Sequence, residues 1–281
     1  MQIRLVISDL DGTLLDSTGR ISPRTRESIA RARELGVVVT FATGRHWDSA
    51  KGIAYELSLS EGVICNNGAM IIDPKDGIPI YRDYLPVHVT RKAIEVWREE
   101  GLDYVAFIHD DLGEIIYYDR SPQHRAAVGF VQGSKLISRV EDCTRESRLV
   151  SSPKILAVGS LEDTRRVGER LTRELEAEAE VVIYGATPPR DDYGAIEVFA
   201  KDCTKASAAK YLAKALGIET EAVMALGDDV NDLELLKYAG LAVAVANSIP
   251  EVKSAADHIT GTNGEDGFAA ALERFVLGNE G

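Results

Sequence analysis

The sequence predicts an α/β protein with a Rossmann-like parallel-sheet core and an inserted α+β domain. Two regions, one near each end of the chain, alternate between short apolar segments and helix-like segments. Such alternation is typical of a parallel sheet whose strands are joined by helices. The middle of the chain has strand-like stretches of a different texture, which indicate a separate module inserted into the core.

The first βαβ unit lies at the start of the chain. The apolar segment 3–8 predicts a buried strand that stops at an acidic loop. Ser22 and Pro23 are typical of a helix start, and apolar residues at helical spacing continue to Gly36, a common helix-ending residue. The β-branched segment 37–42 then predicts a second strand that is covered on both faces.

The same alternation returns late in the chain. We expect helices over 204–216 and 232–238, and strands over 222–226 and 241–245. Each predicted strand precedes a polar loop. Because parallel strands point their carboxyl ends the same way, loops that are far apart in sequence can meet at one crevice.

These patterns divide the chain into three segments. Residues 1–84 and 200–281 would form the core, and residues 85–199 would form the inserted domain. Apolar stretches such as 104–109 and 195–199 predict its strands, and helix-like segments separate them. The insertion is therefore expected to be a folded module.

The composition excludes several classes of protein. The chain has 281 residues and a formal net charge of −13, which disfavours nucleic acid because phosphate backbones are bound by clustered Lys and Arg. No apolar run reaches the roughly 20 residues of a membrane-spanning helix, so we expect no membrane partner. The spacing of cysteines and histidines argues against disulfides and zinc. Asp9 and Asp11 interrupt the N-terminal apolar segment, so we expect no signal peptide and a cytoplasmic protein.

Two aspartates, Asp9 and Asp11, stand two residues apart directly after the first predicted strand. Carboxylates that lie close together repel each other unless a cation is present. Magnesium suits such a pair, because it binds one or two carboxylates together with substrate phosphate. A DxD pair alone is also common in solvated turns, but the full segment DLDGTLL (9–15) after an apolar strand is far more specific.

Four short motifs occur in order along the chain. They are DLDGT (9–13), Thr43 in FATGR, Lys205 in CTKASAAKYL, and GDDVND (227–232). With them the sequence resembles the haloacid dehalogenase superfamily of phosphotransferases, and most closely the Cof-type sugar phosphatases with an inserted α+β cap. The segment ICNNGAMI (64–71) also resembles the stretch that leads into that cap.

Some positions depart from the family pattern or compete with it. Ala206 follows Lys205 where many relatives have Gly, and His46 and Trp47 follow TGR where small or proline residues are common. Lys201 is a rival for the third-motif lysine. Lys205 is preferred because it stands at the predicted first turn of the next helix.

The resemblance implies a magnesium-dependent phosphatase that acts on a small phosphorylated metabolite, such as a sugar phosphate. Asp9 would be the nucleophile and form an aspartyl phosphate. Asp11 would protonate the leaving group and then take a proton from the attacking water. Magnesium would be held by Asp9, the backbone carbonyl of Asp11, and Asp228.

Other residues would bind the phosphoryl group or support the site, again by resemblance. Thr43 and Lys205 would act in catalysis as well as in phosphate binding. The expected phosphate contacts are Leu10, Thr43, Gly44, Lys205 and Asn231, and the expected supporting residues are Thr13, Asp229 and Asp232. Asp229 fits a solvated acid at a helix start about equally well. Arg45 is left out of the catalytic set, because an exposed salt bridge explains it at least as well.

The cap would close over the core and select the leaving group, with the loop around Arg190 as a candidate. A phosphosugar mutase would use the same aspartyl phosphate, but the large insertion favours hydrolysis. A binding protein that has lost turnover is a further alternative, which the intact motif residues argue against. The motifs do not choose one phosphate ester, and they leave the oligomeric state open.

Overall fold

A computed structural model describes residues 2–110, 113–118, 124, 137–140, 152–185 and 192–278. The chain forms two compact units. The first, here called the core unit, combines Met1–Tyr81 with Thr204–Gly281, and the second, called the inserted unit, comprises Arg82–Cys203. The predicted specificity loop around Arg190 lies outside the described residues.

Strands and helices alternate in both halves of the core unit. In chain order the strands are β1 Leu5–Ser8, β2 Val38–Phe41, β3 Val63–Cys65, β4 Met70–Ile72, β5 Pro79–Arg82, β6 Asp103–Asp110, β7 Gly113–Tyr118, β8 Ile137–Val140, β9 Lys154–Gly159, β10 Ala179–Tyr184, β11 Gly194–Ala200, β12 Val223–Gly227, β13 Leu241–Ala244 and β14 His258–Ile259. The helices are α1 Pro23–Glu34, α2 Trp47–Glu56, α3 Val87–Glu99, α4 Leu161–Leu175, α5 Lys205–Ala215, α6 Leu233–Tyr238, α7 Pro250–Ala255 and α8 Gly267–Phe275. Within the described part of the chain, no helix is long and apolar enough to cross a membrane.

The core unit is built on a five-stranded sheet with the strand order β14-β13-β12-β1-β2. Every neighbouring pair of these strands is parallel. All four residues of β1 are buried, as expected for the interior strand of a parallel sheet that is covered on both faces. The predicted parallel-sheet core is therefore confirmed.

Local signals define helix α1 as the sequence predicts. The Ser22 hydroxyl accepts a hydrogen bond of 3.0 Å from the N–H of Thr25, and Pro23 occupies the first turn, where its missing N–H is not needed. At the other end Gly36 has a φ of +79°, and its N–H donates to the carbonyl of Arg33. This left-handed ending turns the chain directly into β2.

The inserted unit contains a six-stranded sheet with the strand order β10-β11-β9-β6-β7-β8. Its neighbouring strands are antiparallel except for β7 and β8. Trp97 of α3 and Leu171 of α4 lie in one buried apolar cluster with side chains of this sheet. The α+β character of the insertion is confirmed, and the unit begins at Arg82 and ends at Cys203, slightly outside the predicted 85–199.

The sequence patterns did not predict the small sheet formed by β3, β4 and β5. Between β3 and β4 the chain reverses through Asn66, Asn67 and Gly68, whose φ angles are +51°, +53° and +108°. Glycine adopts such angles freely, and asparagine tolerates the left-handed region. A Cβ on Gly68 would lie 2.1 Å from the carbonyl oxygen of Thr204, so glycine lets this turn touch the start of α5.

We expect Gly68→Ala to lower the free energy of unfolding by about 3 kcal/mol or more, because the clash adds to the strained φ. Gly36→Ala is the matched control, because it has a positive φ but nothing within 4 Å of its Cβ. Its expected loss is only about 1–2 kcal/mol. Denaturant unfolding of both variants measures the difference, and equal losses would show that the close approach to Thr204 contributes nothing.

Candidate active site

The predicted site residues follow three adjacent strands of the core sheet. Asp9 comes directly after β1, Thr43 lies two residues beyond β2, and Asp228 comes directly after β12. Because these strands are parallel neighbours in the order β12-β1-β2, their loops lie at the same end of the sheet. Lys205, the first residue of α5, joins the group, with its ammonium nitrogen 2.5 Å from Asp9 Oδ1.

Buried apolar residues fix the turn that carries Asp9. Leu10 and Leu14 are both buried, so the turn is anchored in the core on either side of the acidic motif. The N–H of Asp9 donates a hydrogen bond of 2.9 Å to the carbonyl of Leu226 in β12. The backbone of Asp9 is thus held by the same sheet that carries Asp228.

The glycine of the first motif lets the loops after β1 and β12 meet. Gly12 has a φ of +85°, and a Cβ on it would lie 2.4 Å from a carboxylate oxygen of Asp228. The Thr13 hydroxyl donates a hydrogen bond of 2.6 Å to Asp228 Oδ1. The side-chain amide of Asn247 donates to the Gly12 carbonyl at 2.8 Å. Any larger residue at position 12 would push the two loops apart.

Lys205 occupies a position that an isolated lysine would avoid. It follows the N-cap Thr204, where the positive end of the helix dipole disfavours a cation. The side chain is fully buried, yet its ammonium nitrogen lies 2.5 Å from Asp9 and 2.6 Å from Asp232. Burial lowers the pKa of Lys205, and the two carboxylates more than reverse that effect, so the pKa is raised. The ammonium therefore stays charged.

Asp232 organises the loop after β12. Its Oδ1 accepts a hydrogen bond from Lys205, and its Oδ2 accepts from the N–H groups of Asp228 and Asp229 at 2.9 and 3.1 Å. A Cβ on Gly227 would lie 2.4 Å from the Asp232 side chain, so glycine makes room for it. The Asp229 carboxylate accepts from the N–H of the next residue and so caps the short turn that follows.

Three carboxylates gather at the centre of the site, since oxygens of Asp9, Asp228 and Asp232 lie within 4.8 Å of one another. Burial raises the pKa of Asp9 well above its usual value; Lys205 opposes this effect, and the neighbouring carboxylates add to it. Burial and Asp232 raise the pKa of Asp228 to about 7, although the hydrogen bond from Thr13 opposes the rise. The site holds more negative charge than its one buried lysine balances.

The donor set fits a divalent cation. Three carboxylates face one ammonium, and hard oxygen ligands of this kind suit magnesium. Both oxygens of Asp232 already accept hydrogen bonds from Lys205 and from backbone N–H groups. Asp9 and Asp228 are therefore the carboxylates best placed to coordinate a metal. The carboxylate of Asp11, whose backbone carbonyl is the predicted ligand, is not part of this group.

The loop after β2 is tied to the turn between β3 and β4. The Thr43 N–H donates to the carbonyl of Ile64, and the Thr43 carbonyl accepts from the N–H of Asn67, both at 2.9 Å. A Cβ on Gly44 would lie 3.2 Å from the Asn67 side chain. Asn67 Oδ1 in turn accepts a hydrogen bond of 2.8 Å from the side chain of Asn231. Asn67 thus links three predicted phosphate-binding residues, although the sequence analysis did not single it out.

Arg45 pairs with the predicted acid/base residue Asp11. Its Nε lies 2.8 Å from Asp11 Oδ2, and its Nη2 lies 2.5 Å from Oδ1. The sequence analysis considered an exposed salt bridge for Arg45 without identifying a partner. The one signal that could have indicated the partner is the position of Arg45 two residues after Thr43, at the end of the strand next to β1.

Residues 6–272 match the haloacid dehalogenase-like hydrolase family, and the chain belongs to it. The structure of a haloacid dehalogenase-like hydrolase from Bacteroides thetaiotaomicron is similar, with a TM-score of 0.79 and 29% identity over 97% of this chain and 99% of that one. A 5-amino-6-(5-phospho-D-ribitylamino)uracil phosphatase from Bacillus subtilis (strain 168) is 30% identical over 99% of this chain and 97% of its own length. An HMP-PP phosphatase from Serratia proteamaculans is 28% identical over 89% and 86%, respectively. The resemblance seen in the motifs is thereby confirmed.

We expect Lys205→Met to lower the free energy of unfolding by about 3–5 kcal/mol without divalent cations, because it leaves buried carboxylates without their cation. The loss should grow as the pH rises. Lys205 lowers the pKa of Asp9, so its removal raises that pKa further, and a raised carboxyl pKa costs stability once the unfolded state ionises first.

The matched control is Lys201→Met, which changes the rival lysine. The Lys201 side chain is 42% exposed and its nitrogen lies 3.9 Å from Glu180. Such an exposed position predicts a change within about 0.5 kcal/mol. Denaturant unfolding at several pH values compares the two variants, and similar small losses would contradict the account of Lys205.

Magnesium affinity should depend on pH through Asp228. Because its pKa is about 7 in the metal-free protein, a proton competes with the metal below that pH. We expect apparent affinity to fall about tenfold per pH unit below the pKa and to level off above it. Titration calorimetry with magnesium across this pH range measures the profile.

Thr13→Val should move that profile to higher pH, because the Thr13 hydrogen bond lowers the pKa of Asp228. Thr40→Val is the matched control, since the Thr40 hydroxyl donates to the carbonyl of Gly62 and not to a site residue. A magnesium affinity that is independent of pH, or an equal shift in both variants, would contradict this role of Asp228.

Proposed function

We propose that this haloacid dehalogenase-like hydrolase is a magnesium-dependent phosphatase that forms a phosphoaspartate on Asp9. The observation that carries the proposal is the arrangement around Asp9. Its carboxylate is buried after β1, lies 2.5 Å from the ammonium of Lys205, and shares a 4.8 Å cluster with Asp228. The phosphatases among its relatives, which match nearly the whole chain, support the same activity.

The first half of the reaction transfers the phosphoryl group to the protein. A carboxylate oxygen of Asp9 attacks phosphorus, an O–P bond forms, and the P–O bond to the leaving group breaks. The electron pair of the broken bond goes to the leaving oxygen. The Asp11 carboxyl gives that oxygen its proton, so that an alcohol leaves and not an alkoxide.

The second half regenerates the enzyme. The Asp11 carboxylate, now without its proton, takes one from a water molecule as that water attacks phosphorus. The bond between phosphorus and Asp9 breaks, and orthophosphate leaves. Asp11 then carries a proton again and Asp9 is a carboxylate, so both residues are ready for the next ester.

Fixed positive charge and hydrogen-bond donors would stabilise the phosphoryl oxygens. We assign this role to Lys205, the Thr43 hydroxyl, the Asn231 side chain and the N–H groups of Leu10 and Gly44. Such donors are effective because they are oriented before the reaction begins. When bound by Asp9, Asp228 and the Asp11 carbonyl, magnesium supplies the positive charge that shields the attack from anion repulsion. Thr13 and Asp232 would hold Asp228 and Lys205 in place, and Asp229 would cap the loop.

The proposed substrates are small phosphorylated metabolites, such as sugar phosphates. The B. subtilis relative is named for a phosphorylated ribitylaminouracil, a small molecule with a sugar-derived phosphate. The core residues above recognise only the phosphoryl group that all such esters share. We therefore propose residues 85–199 as the cap domain that determines which ester is accepted.

Asp9→Asn should abolish orthophosphate release, with a loss of at least about 10³-fold, because the amide cannot form the phosphoryl-enzyme. A panel of phosphate monoesters, assayed with magnesium and with a chelator, measures release. Mass spectrometry of enzyme quenched during turnover should detect phosphate on Asp9. Asp76→Asn is the matched control, because exposed Asp76 accepts only a turn N–H that Asn also accepts, and it should behave as wild type.

Metal-independent release, or release that survives in Asp9→Asn, would contradict the proposed mechanism. Formation of a phosphate isomer in place of orthophosphate would instead indicate a mutase. The order of rates across the panel would begin to identify the physiological ester.

A further inference from the structure

The pair between Arg45 and Asp11 has a defined geometry. Nε and Nη2 of the guanidinium each contact a different oxygen of the Asp11 carboxylate, at 2.8 and 2.5 Å. Two parallel contacts of this kind fix the plane and rotation of a carboxylate, whereas a single contact to a lysine would not. Arg45 therefore specifies the orientation of Asp11 as well as its approximate position.

The backbone of Arg45 is itself fixed by the site. Its N–H donates to the Thr43 hydroxyl at 3.1 Å, and its carbonyl accepts from the N–H of Asn66 at 2.9 Å. Thr43 also belongs to the proposed phosphate-binding set. The guanidinium is therefore presented from a rigid loop of the site, unlike an arginine on a free surface helix.

Asp11 needs such a partner because the packing around it is loose. Its side chain is 56% exposed, whereas that of the neighbouring nucleophile Asp9 is 9% exposed. An exposed carboxylate samples several rotamers, and a general acid works only when its proton lies within hydrogen-bond reach of the leaving oxygen. The fork uses two of the roughly four lone-pair sites of the carboxylate, which leaves room for the transferred proton.

We propose that Arg45 is a positioning residue that holds Asp11 in the orientation needed for proton transfer to the leaving group. This inference rests on the proposed function, because it assigns to Arg45 an effect on a step that Asp11 carries out. Arg45 acts through Asp11 and does not itself contact the phosphoryl group.

The proposal predicts an effect that depends on the leaving group. A p-nitrophenyl ester departs without a proton, so its reaction does not need a well-oriented acid. An alkyl phosphate departs as an alcohol and does need one. The ratio kcat/KM reports steps up to the departure of the leaving group, so it isolates the acid step from the later attack of water.

We expect Arg45→Met to lower kcat/KM about 10- to 100-fold for an alkyl phosphate, within the range by which misplaced acid–base groups slow reactions. For p-nitrophenyl phosphate the loss should stay within about threefold, since no proton is required. Arg45→Lys should resemble Arg45→Met, because it keeps the charge but loses the fork. In an Asp11→Asn background, Arg45→Met should cause no further loss, because the group that it orients is absent.

Arg24→Met is the matched control. Arg24 also makes a two-pronged contact, at 3.0 and 2.6 Å to Glu273, and neither residue belongs to the site. Its kcat/KM should match wild type for both esters. Thermal unfolding of each variant shows whether the fold is retained.

Two results would overturn the inference. Equal losses for both esters that persist in the Asp11→Asn background would mean that Arg45 contacts the phosphoryl group directly. No loss for either ester, as in Arg24→Met, would mean that the pair is an ordinary surface salt bridge. Neither result affects the proposed function, which fails separately if Asp9→Asn keeps its activity or if Asp11→Asn shows no dependence on the leaving group.

Discussion

The buried ammonium of Lys205 is the interaction on which the rest of the site depends. A buried charge is tolerated only when it is paired and hydrogen-bonded, and Lys205 meets this condition with Asp9 and Asp232. These three residues follow a strand, begin a helix and close a loop in distant parts of the sequence. Their mutual attraction therefore brings together segments that have no local reason to meet. Folding of the core unit and assembly of the site are one event for this reason.

Close backbone approach is the second condition for the site. Gly12 and Gly227 each stand where a Cβ would lie 2.4 Å from an aspartate side chain, and Gly68 stands against the start of α5. The charged groups can thus lie within hydrogen-bond distance because the backbones beside them carry no side chain. Small residues and charged residues in the motifs answer the same requirement, which is to place several oxygens around one point.

The sequence predicted what local pattern controls. The predicted strands lie within two residues of β1, β2, β12 and β13, because apolar runs, caps and glycine endings are properties of neighbouring residues. The strand-by-strand placement also put Asp9, Lys205 and Asp228 at one end of the sheet. The bond between Asn67 and Asn231 could not be predicted, because it joins residues 164 positions apart that carry no complementary signal. The pair of Arg45 with Asp11 was missed for a related reason, since an arginine after a strand has many possible partners and only the folded loops select one.

The charge of the site explains how a protein with a net charge of −13 can bind an anion. Without metal, three clustered carboxylates outnumber the one buried ammonium among them, so the centre of the site repels a phosphate group. A divalent cation reverses this balance locally while the rest of the surface stays acidic. Binding of metal and binding of phosphate are then coupled, because each reduces the repulsion that the other must overcome. The raised pKa of Asp228 expresses the same imbalance, since in the absence of metal a proton is the cation that the site can most readily acquire.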